Sequence, residues 1–380
     1  MVRFLAAAVL FLFANGVLSR APLHLNHPDS RIPNQYIVVL KDEYKELLDA
    51  VIERIQSNFE VDLLGRYSAV FPGFTVAMPK QALQRVLDMN EVKYVKENQI
   101  GGIIEVGSWG LDRIDARTGL DNVFNPKYSG SGVHVYVVDT GVRITHNDFG
   151  GRASYGWDAV DKDMESDDCH GHGTHCAGTA SGTVYGVAKL SNPVGLRAVN
   201  CLGFGPESWV IECMDWVLEN AEFPAVSSFS LAYERSQAID DAVERMHNGG
   251  VTVIAGAAND NDDASLKSPA GAAKTYTIAG TDIDDSRAWF SNFGTCVDIF
   301  APGVDIVSAH HLSDDAIATM SGTSMSTPHA AGAAALILEE NTVLTPDEVH
   351  AKLTADSTKG VITDVPADTV NYMLYVEPKP

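Results

Sequence analysis

The sequence is short of positive charge: 27 Lys and Arg face 50 Asp and Glu, a formal net charge of −23. Phosphate backbones and anionic lipid surfaces are held by basic patches, so neither nucleic acid nor a membrane surface is an expected partner. No strand is followed by G-x-G-x-x-G or G-x-x-x-x-G-K, which removes the backbone cradles that bind nucleotide phosphates. H-E-x-x-H is absent, and with it the helical zinc-protease site. There is no N-x-[ST] acceptor for N-glycosylation. Beyond the first twenty residues no apolar run approaches the ~20 residues needed to span a bilayer, so a soluble mature protein is expected. Cysteine is scarce as well: five residues, an odd number that leaves at least one thiol unpaired.

What is present begins with a leader. Met1–Ser19 has Arg3 at its start, an apolar core over Phe4–Phe13 and small residues near Gly16 and Ser19, the pattern of a secretory signal. A buried N-terminal helix is the plainer alternative. Export would place the chain in an oxidising compartment, where disulfides persist.

Residues 20–103 read as a small domain of their own. Tyr36–Leu40 suggests a strand, and the apolar spacing of Leu47, Leu48, Val51, Ile52, Ile55 and Phe59 a helix over about 44–59. Strands at 66–70 and 73–78, a helix around Ala82–Leu87 and a strand over Val92–Glu97 follow. The order β-α-β-β-α-β predicts a ferredoxin-like α+β sandwich. An independent binding module would look the same. Residues 20–101 hold 10 Lys/Arg against 11 Asp/Glu, so nearly all the excess acid falls on the remainder. A solvated acidic face explains that excess, as would steering of basic substrates or uptake of calcium.

From residue 104 the chain reads as a larger α/β domain. Apolar strands at Val133–Val138, Val194–Val199, Val226–Leu231, Val251–Ala255 and Tyr276–Ala279 alternate with helical patterns near 173–182, 207–219, 236–248 and 324–340. This alternation predicts a parallel sheet covered by helices on both faces, a three-layer architecture.

Three segments carry chemistry. Ser324 follows Gly322 at the head of a small-residue helix, where unpaired N–H groups and the helix dipole favour a developing anion; Pro328 fits its first turn. A serine there is also an ordinary N-cap. Asp139 ends the strand Val133–Val138 before Thr-Gly, a site position in α/β sheets and equally a turn residue. Cys169-His-Gly-His172-Gly-Thr-His175-Cys176 offers a base or a cluster of metal ligands.

GTSMSTPH around Ser324 and HGTHCAGT around His172 resemble the nucleophile and histidine motifs of the subtilisin-like serine proteases, in the proteinase K and aqualysin-like group. The order Asp139, His172, Ser324 is the subtilisin order. The resemblance implies a serine endopeptidase acting on polypeptides with no catalytic cofactor. It makes Ser324 the nucleophile, His172 the base, Asp139 its orienting acid and Asn259 an oxyanion donor beside the Ser324 N–H. His175 becomes a packed helix residue. Gly203, Phe204 and Gly205, with Ser230, Leu231 and Ala232, would clasp an extended peptide. The family has glycine where Ala232 and Ala258 stand and alanine where Gly256 stands, which implies a small or medium apolar P1 residue, with Gly256 returning some room.

The same resemblance pairs Cys169 with Cys201 and leaves Cys176 free. It also leaves Cys296 without a partner, since Ser265 occupies the matching position. Asp298, with the carbonyls of Ala273 and Thr275, matches a calcium site. YIVVLK, YSAVFPGF and VKYVKEN resemble the propeptide of these enzymes, an intramolecular chaperone and inhibitor. Trp109–Asp115 resembles a mature start, which places processing within about 99–107. A monomer is expected. The rivals are a silent binding protein that keeps its propeptide in the cleft and a zinc module around Cys169–Cys176.

Overall fold

The structure, a computed structural model, describes residues 20–25, 31–99 and 106–379. The leader 1–19 and most of the stretch 99–107 lie outside the described residues. The chain divides into two compact units, Met1–Ile103 and Ile104–Pro380.

The first unit contains β1 (Leu23–His24), β2 (Arg31–Leu40), α1 (Leu48–Asn58), β3 (Asp62–Tyr67), β4 (Gly73–Ala77), α2 (Lys80–Leu87) and β5 (Val92–Gln99). The sheet order is β1-β5-β2-β4-β3, with β2 antiparallel to both β4 and β5. Apart from the short β1 this is a split βαβ arrangement. The apolar stripe of α1, Leu48, Val51, Ile52 and Ile55, packs with Val86 of α2 on Val38, Phe74 and Val95 of the sheet. Two local expectations fail here. The third strand ends at Tyr67, because residues 68–72 turn and leave Val70 exposed. The first turns of the expected long helix are a 3-10 segment, Asp42–Leu47, with no buried residue to hold it to the sheet.

The second unit opens with α3 (Trp109–Ile114), β6 (His134–Asp139), β7 (Ser154–Asp158), α4 (His172–Ser181) and β8 (Asn192–Arg197). It continues with α5 (Glu207–Asn220), β9 (Ala225–Phe229), β10 (Tyr233–Glu234), α6 (Gln237–Asn248), β11 (Thr252–Gly256) and β12 (Lys267–Ser268). Next come β13 (Tyr276–Thr281), β14 (Ile299–Pro302), β15 (Ile306–Ala309) and β16 (Ile317–Met320). The chain closes with α7 (Thr323–Glu340), α8 (Pro346–Asp356), β17 (Thr358–Lys359) and β18 (Tyr372–Met373).

Nine strands form one sheet in the order β17-β18-β14-β13-β11-β9-β6-β8-β7. Every neighbouring pair is parallel except β17 with β18. Strand period 2 sends Val135 and Val137 of β6 to one face, where α4, α7 and α8 pack. Tyr136 and Val138 go to the other face, against α5 and α6. Both faces are dry, which is why these strands read as unbroken apolar runs. Among the described residues no helix is long and apolar enough to cross a membrane.

Helix α7 runs through the core with Met325–Leu338 all buried. Its small side chains let neighbours close in: a Cβ on Gly332 would lie 2.6 Å from Val187 Cβ and 2.9 Å from the Ala180 carbonyl of α4. Pro328 is the sixth residue of α7 and not part of its first turn. It therefore withholds the N–H that would bond the carbonyl four residues back, at Ser324. The Ser230 hydroxyl (2.9 Å) and the Cys176 thiol (3.4 Å) donate to that carbonyl instead.

Candidate active site

The sheet's carboxyl edge gathers the residues singled out in the sequence. Asp139 ends β6, Ser230 follows β9, Asn259 lies three residues past β11, and Leu202–Gly205 follow β8. Outside the carboxyl ends of parallel strands is where such sheets keep their sites.

His172 is the first residue of α4, entered through Gly171 at φ +106. Its Nδ1–H donates to Asp139, 2.7 Å from Oδ1 and 2.9 Å from Oδ2. That bond fixes the tautomer and leaves Nε2 as the basic nitrogen. Asp139 is buried, and its Oδ1 also accepts the Thr140 N–H. Burial opposes charge on the imidazole, but the Asp139 carboxylate and, less strongly, the Cys176 sulfur together outweigh it and hold the His172 pKa well above the usual value. Gly173 can only be glycine, since a Cβ would run into the Gly141 carbonyl.

One residue absent from the sequence reading holds this end together. Asp168 is buried and accepts from the Thr140 hydroxyl, the N–H groups of His170 and Gly171, and both the N–H and hydroxyl of Thr174. Thr140 in turn accepts from the Gly173 N–H. The carboxylate thus ties the residue after Asp139 to the first turn of the helix that carries His172. An Asp just ahead of a helix start is the signal that points to it.

Ser324 is the second residue of α7. Its hydroxyl donates to the Ser230 carbonyl at 3.1 Å, so its one proton is engaged there. The Cys176 sulfur lies 3.9 Å from His172 Nδ1 and 3.4 Å from the Ser324 carbonyl, which places the two helix starts side by side. Burial raises the Cys176 thiol pKa, so it stays a thiol.

Asn259 Oδ1 accepts from the Thr323 N–H (2.9 Å) and the Thr323 hydroxyl (3.0 Å), which orients the amide and turns Nδ2 outward. A Cβ on Gly322 would lie 3.4 Å from Asn259 Nδ2 and 3.6 Å from the Ser324 nitrogen. Both donor nitrogens therefore lie within contact distance of one point beside Gly322.

Two hollows flank this point. One, of about 360 Å³, is lined by Asp139, His172, Leu202–Gly205 and Ser230–Tyr233. The Asn200 side chain accepts from the N–H groups of Leu202 and Phe204, and the Tyr233 hydroxyl donates to the Gly205 carbonyl. The other, of about 350 Å³, is lined by Ser230–Ala232, Gly256, Ala258, Asn259 and Ser324. Ala258 sits at φ +78, a conformation that costs a non-glycine residue about 1–2 kcal/mol. Gly256 gives the pocket no extra room: a Cβ there would meet the Thr327 hydroxyl at 2.8 Å and that of Thr323 at 3.2 Å. The missing methyl lets α7 approach β11.

Cys169 and Cys201 form a disulfide; Cys176, Cys213 and Cys296 are free. Cys169 is thus spent, and His175 is buried with Nε2 on the Ile306 carbonyl, so the Cys169–Cys176 cluster does not converge on an ion. The ligand atoms that do meet there, within 4.8 Å, are those of Asp139, His172 and Cys176, already joined by the Asp139–His172 bond. Asp298 accepts the Thr277 N–H at 2.8 Å, and burial pushes its carboxyl up to about 6.

The model of the subtilase family matches residues 130–371. The extracellular serine proteinase of Thermus sp. (strain Rt41A) is 41% identical over 93% of this chain and 92% of its own length. The alkaline serine exoprotease A of Vibrio alginolyticus is 39% identical over 93% and 70%. A cuticle-degrading serine protease of Arthrobotrys oligospora is 36% identical over 87% and 88%. Among solved structures, that of a cold adapted subtilisin-like serine proteinase superposes with TM-score 0.70 at 46% identity, covering 72% of this chain and all of that one.

Proposed function

The chain belongs to the subtilase family of serine endopeptidases, and from that premise we propose that Asp139, His172 and Ser324 are its catalytic triad. Ser324 Oγ attacks the scissile carbonyl and His172 Nε2 takes its proton. Asp139 keeps Nδ1–H in place and stabilises the imidazolium. For this the Ser324 hydroxyl has to leave the Ser230 carbonyl for Nε2. The oxygen of the tetrahedral intermediate takes the space beside Gly322, between Asn259 Nδ2 and the Ser324 N–H. The observation that carries the reading is the Nδ1–Asp139 bond, because it leaves the opposite nitrogen free to act as base.

The strands of an extended substrate lie along Leu202–Gly205 and Ser230–Ala232, and the pocket lined by Ala232 and Ala258 takes a small or medium apolar P1 side chain. Cleavage profiling that strongly favours large aromatics contradicts this. Residues 20–103 act as a propeptide removed after export, and the mature enzyme is an extracellular monomer. A match over 93% of the chain has to reach well into that first unit, which supports a precursor of the same plan. A calcium ion would be held by Asp298 and the carbonyls of Ala273 and Thr275, where it supplies positive charge to a half-buried carboxylate and stiffens the loop. Chelation then lowers the Tm of the wild type and leaves that of Asp298→Asn unchanged.

The decisive experiment is labelling with a fluorophosphonate followed by peptide mapping. Label on Ser324, lost in His172→Ala, is the expected result. Label on another residue overturns the assignment of Ser324, and no label at all favours a silent binding protein.

A further inference from the structure

A second cluster of chemically capable side chains lies away from the cleft, where the end of α6 meets the start of α8. His247 is in the last turn of α6; Asp347 and His350, three residues apart, share one face of α8. His247 Nε2 is 2.9 Å from Asp347 Oδ1. The His350 ring is packed between those of His247 and Tyr276, with centroids 5.5 and 5.0 Å away, so its orientation is set. His247 is 4% exposed, and its Nδ1 and the His350 Nε2 are both buried without a hydrogen-bond partner. An orphaned buried polar atom costs about 1–3 kcal/mol, so each of these two nitrogens has a reason to take a ligand.

One ligand atom from each of the three residues lies within 4.8 Å of the other two. We propose that His247, Asp347 and His350 bind a zinc ion that staples α6 to α8. Two imidazoles and a carboxylate suit zinc and not calcium, which takes oxygen ligands. Tetrahedral coordination needs ligand atoms roughly 3.3 Å apart, and Asp347, on an exposed first turn, has the freedom to close that gap. The charged groups facing the imidazoles are Asp347 and Lys274. Burial lowers the pKa of both histidines, His350 to about 4, so each carries a free lone pair at neutral pH. Lys274, with Nζ 3.0 and 3.3 Å from the Asp347 oxygens, is the cation that zinc displaces.

The test uses the full chain carrying Ser324→Ala, which prevents self-digestion, in buffer with excess calcium. Zinc is titrated by equilibrium dialysis with elemental analysis, and Tm is followed in parallel. One zinc per chain and a raised Tm are expected, with affinity at least about tenfold weaker in His350→Gln and in Asp347→Asn. Lys274→Met, which removes the competing ammonium, tightens binding. No bound zinc, or zinc bound equally well by both ligand variants, overturns the proposal. Should His350→Gln fail to fold, the exposed Asp347→Asn decides.

Discussion

Helices α4 and α7 are built alike and start differently. Both are buried, both are entered through a glycine, and each carries a proposed catalytic side chain within its first two residues, His172 and Ser324. The start of α4 is surrounded by acceptors: Asp139 on the imidazole and Asp168 on three N–H groups and two hydroxyls. At the start of α7 the nearest polar groups are donors, with Asn259 Nδ2 and the Ser324 nitrogen both within 3.6 Å of one point beside Gly322. In the proposed mechanism one helix start holds a positive charge and the other receives a negative one. Peptide hydrolysis creates both at once, an imidazolium and an oxyanion.

The contrast can be broken from either side. Asn259→Ala removes one of the two donors at α7. We expect kcat to fall by about 10²–10³ with KM little changed, the loss the subtilisin asparagine itself exemplifies. A fall in kcat below tenfold on a peptide substrate refutes the donor role. Asp168→Asn puts an amide where only acceptors fit at α4. A loss of roughly 2–3 kcal/mol in unfolding free energy is expected by denaturant titration, because charge-assisted bonds give way to opposed donors. Unchanged stability breaks the account of that end. The smallest effect is at Ala258. Ala258→Gly relieves a positive-φ alanine and should raise stability by about 0.5–1 kcal/mol, a Tm gain of roughly 1–3 °C. A lower Tm shows that the methyl packs usefully.

Much of this arrangement was legible beforehand. The alternation of apolar strands and helices placed the parallel sheet, because strands covered on both faces leave no polar alternation to blur them. Less visible were features set by tertiary contact. Strand β7, half exposed in Ser154-Tyr155, carries a weak apolar signal. Helix α8 has only a local signal in the sequence, the capping box Thr345-Pro346-Asp-Glu348 with proline at the first helical position. Pro328 lies one turn deeper in α7 than its residue type suggests, because a neighbouring hydroxyl and thiol take over the carbonyl it frees. The expected extra room at Gly256 is absent because its missing side chain points at Thr327 and Thr323, a direction no sequence specifies. Asp168 escaped because its five partners are mostly backbone N–H groups and hydroxyls, which leave no pattern of residue types.

The account rests on the charge held at the start of α4, and the pH dependence of Ser324 phosphonylation reads it directly. The base is active when neutral, and Asp139 raises the His172 pKa, so the wild-type rate should climb with pH through a limb above the usual imidazole range. In Asp139→Asn the carboxylate is gone and burial is opposed only by the weaker influence of the Cys176 sulfur, so the limb should move to lower pH while the rate in the plateau falls by about 10⁴. A limb that stays where it was in that variant would contradict the account, because the imidazole would then owe its basicity to something other than Asp139.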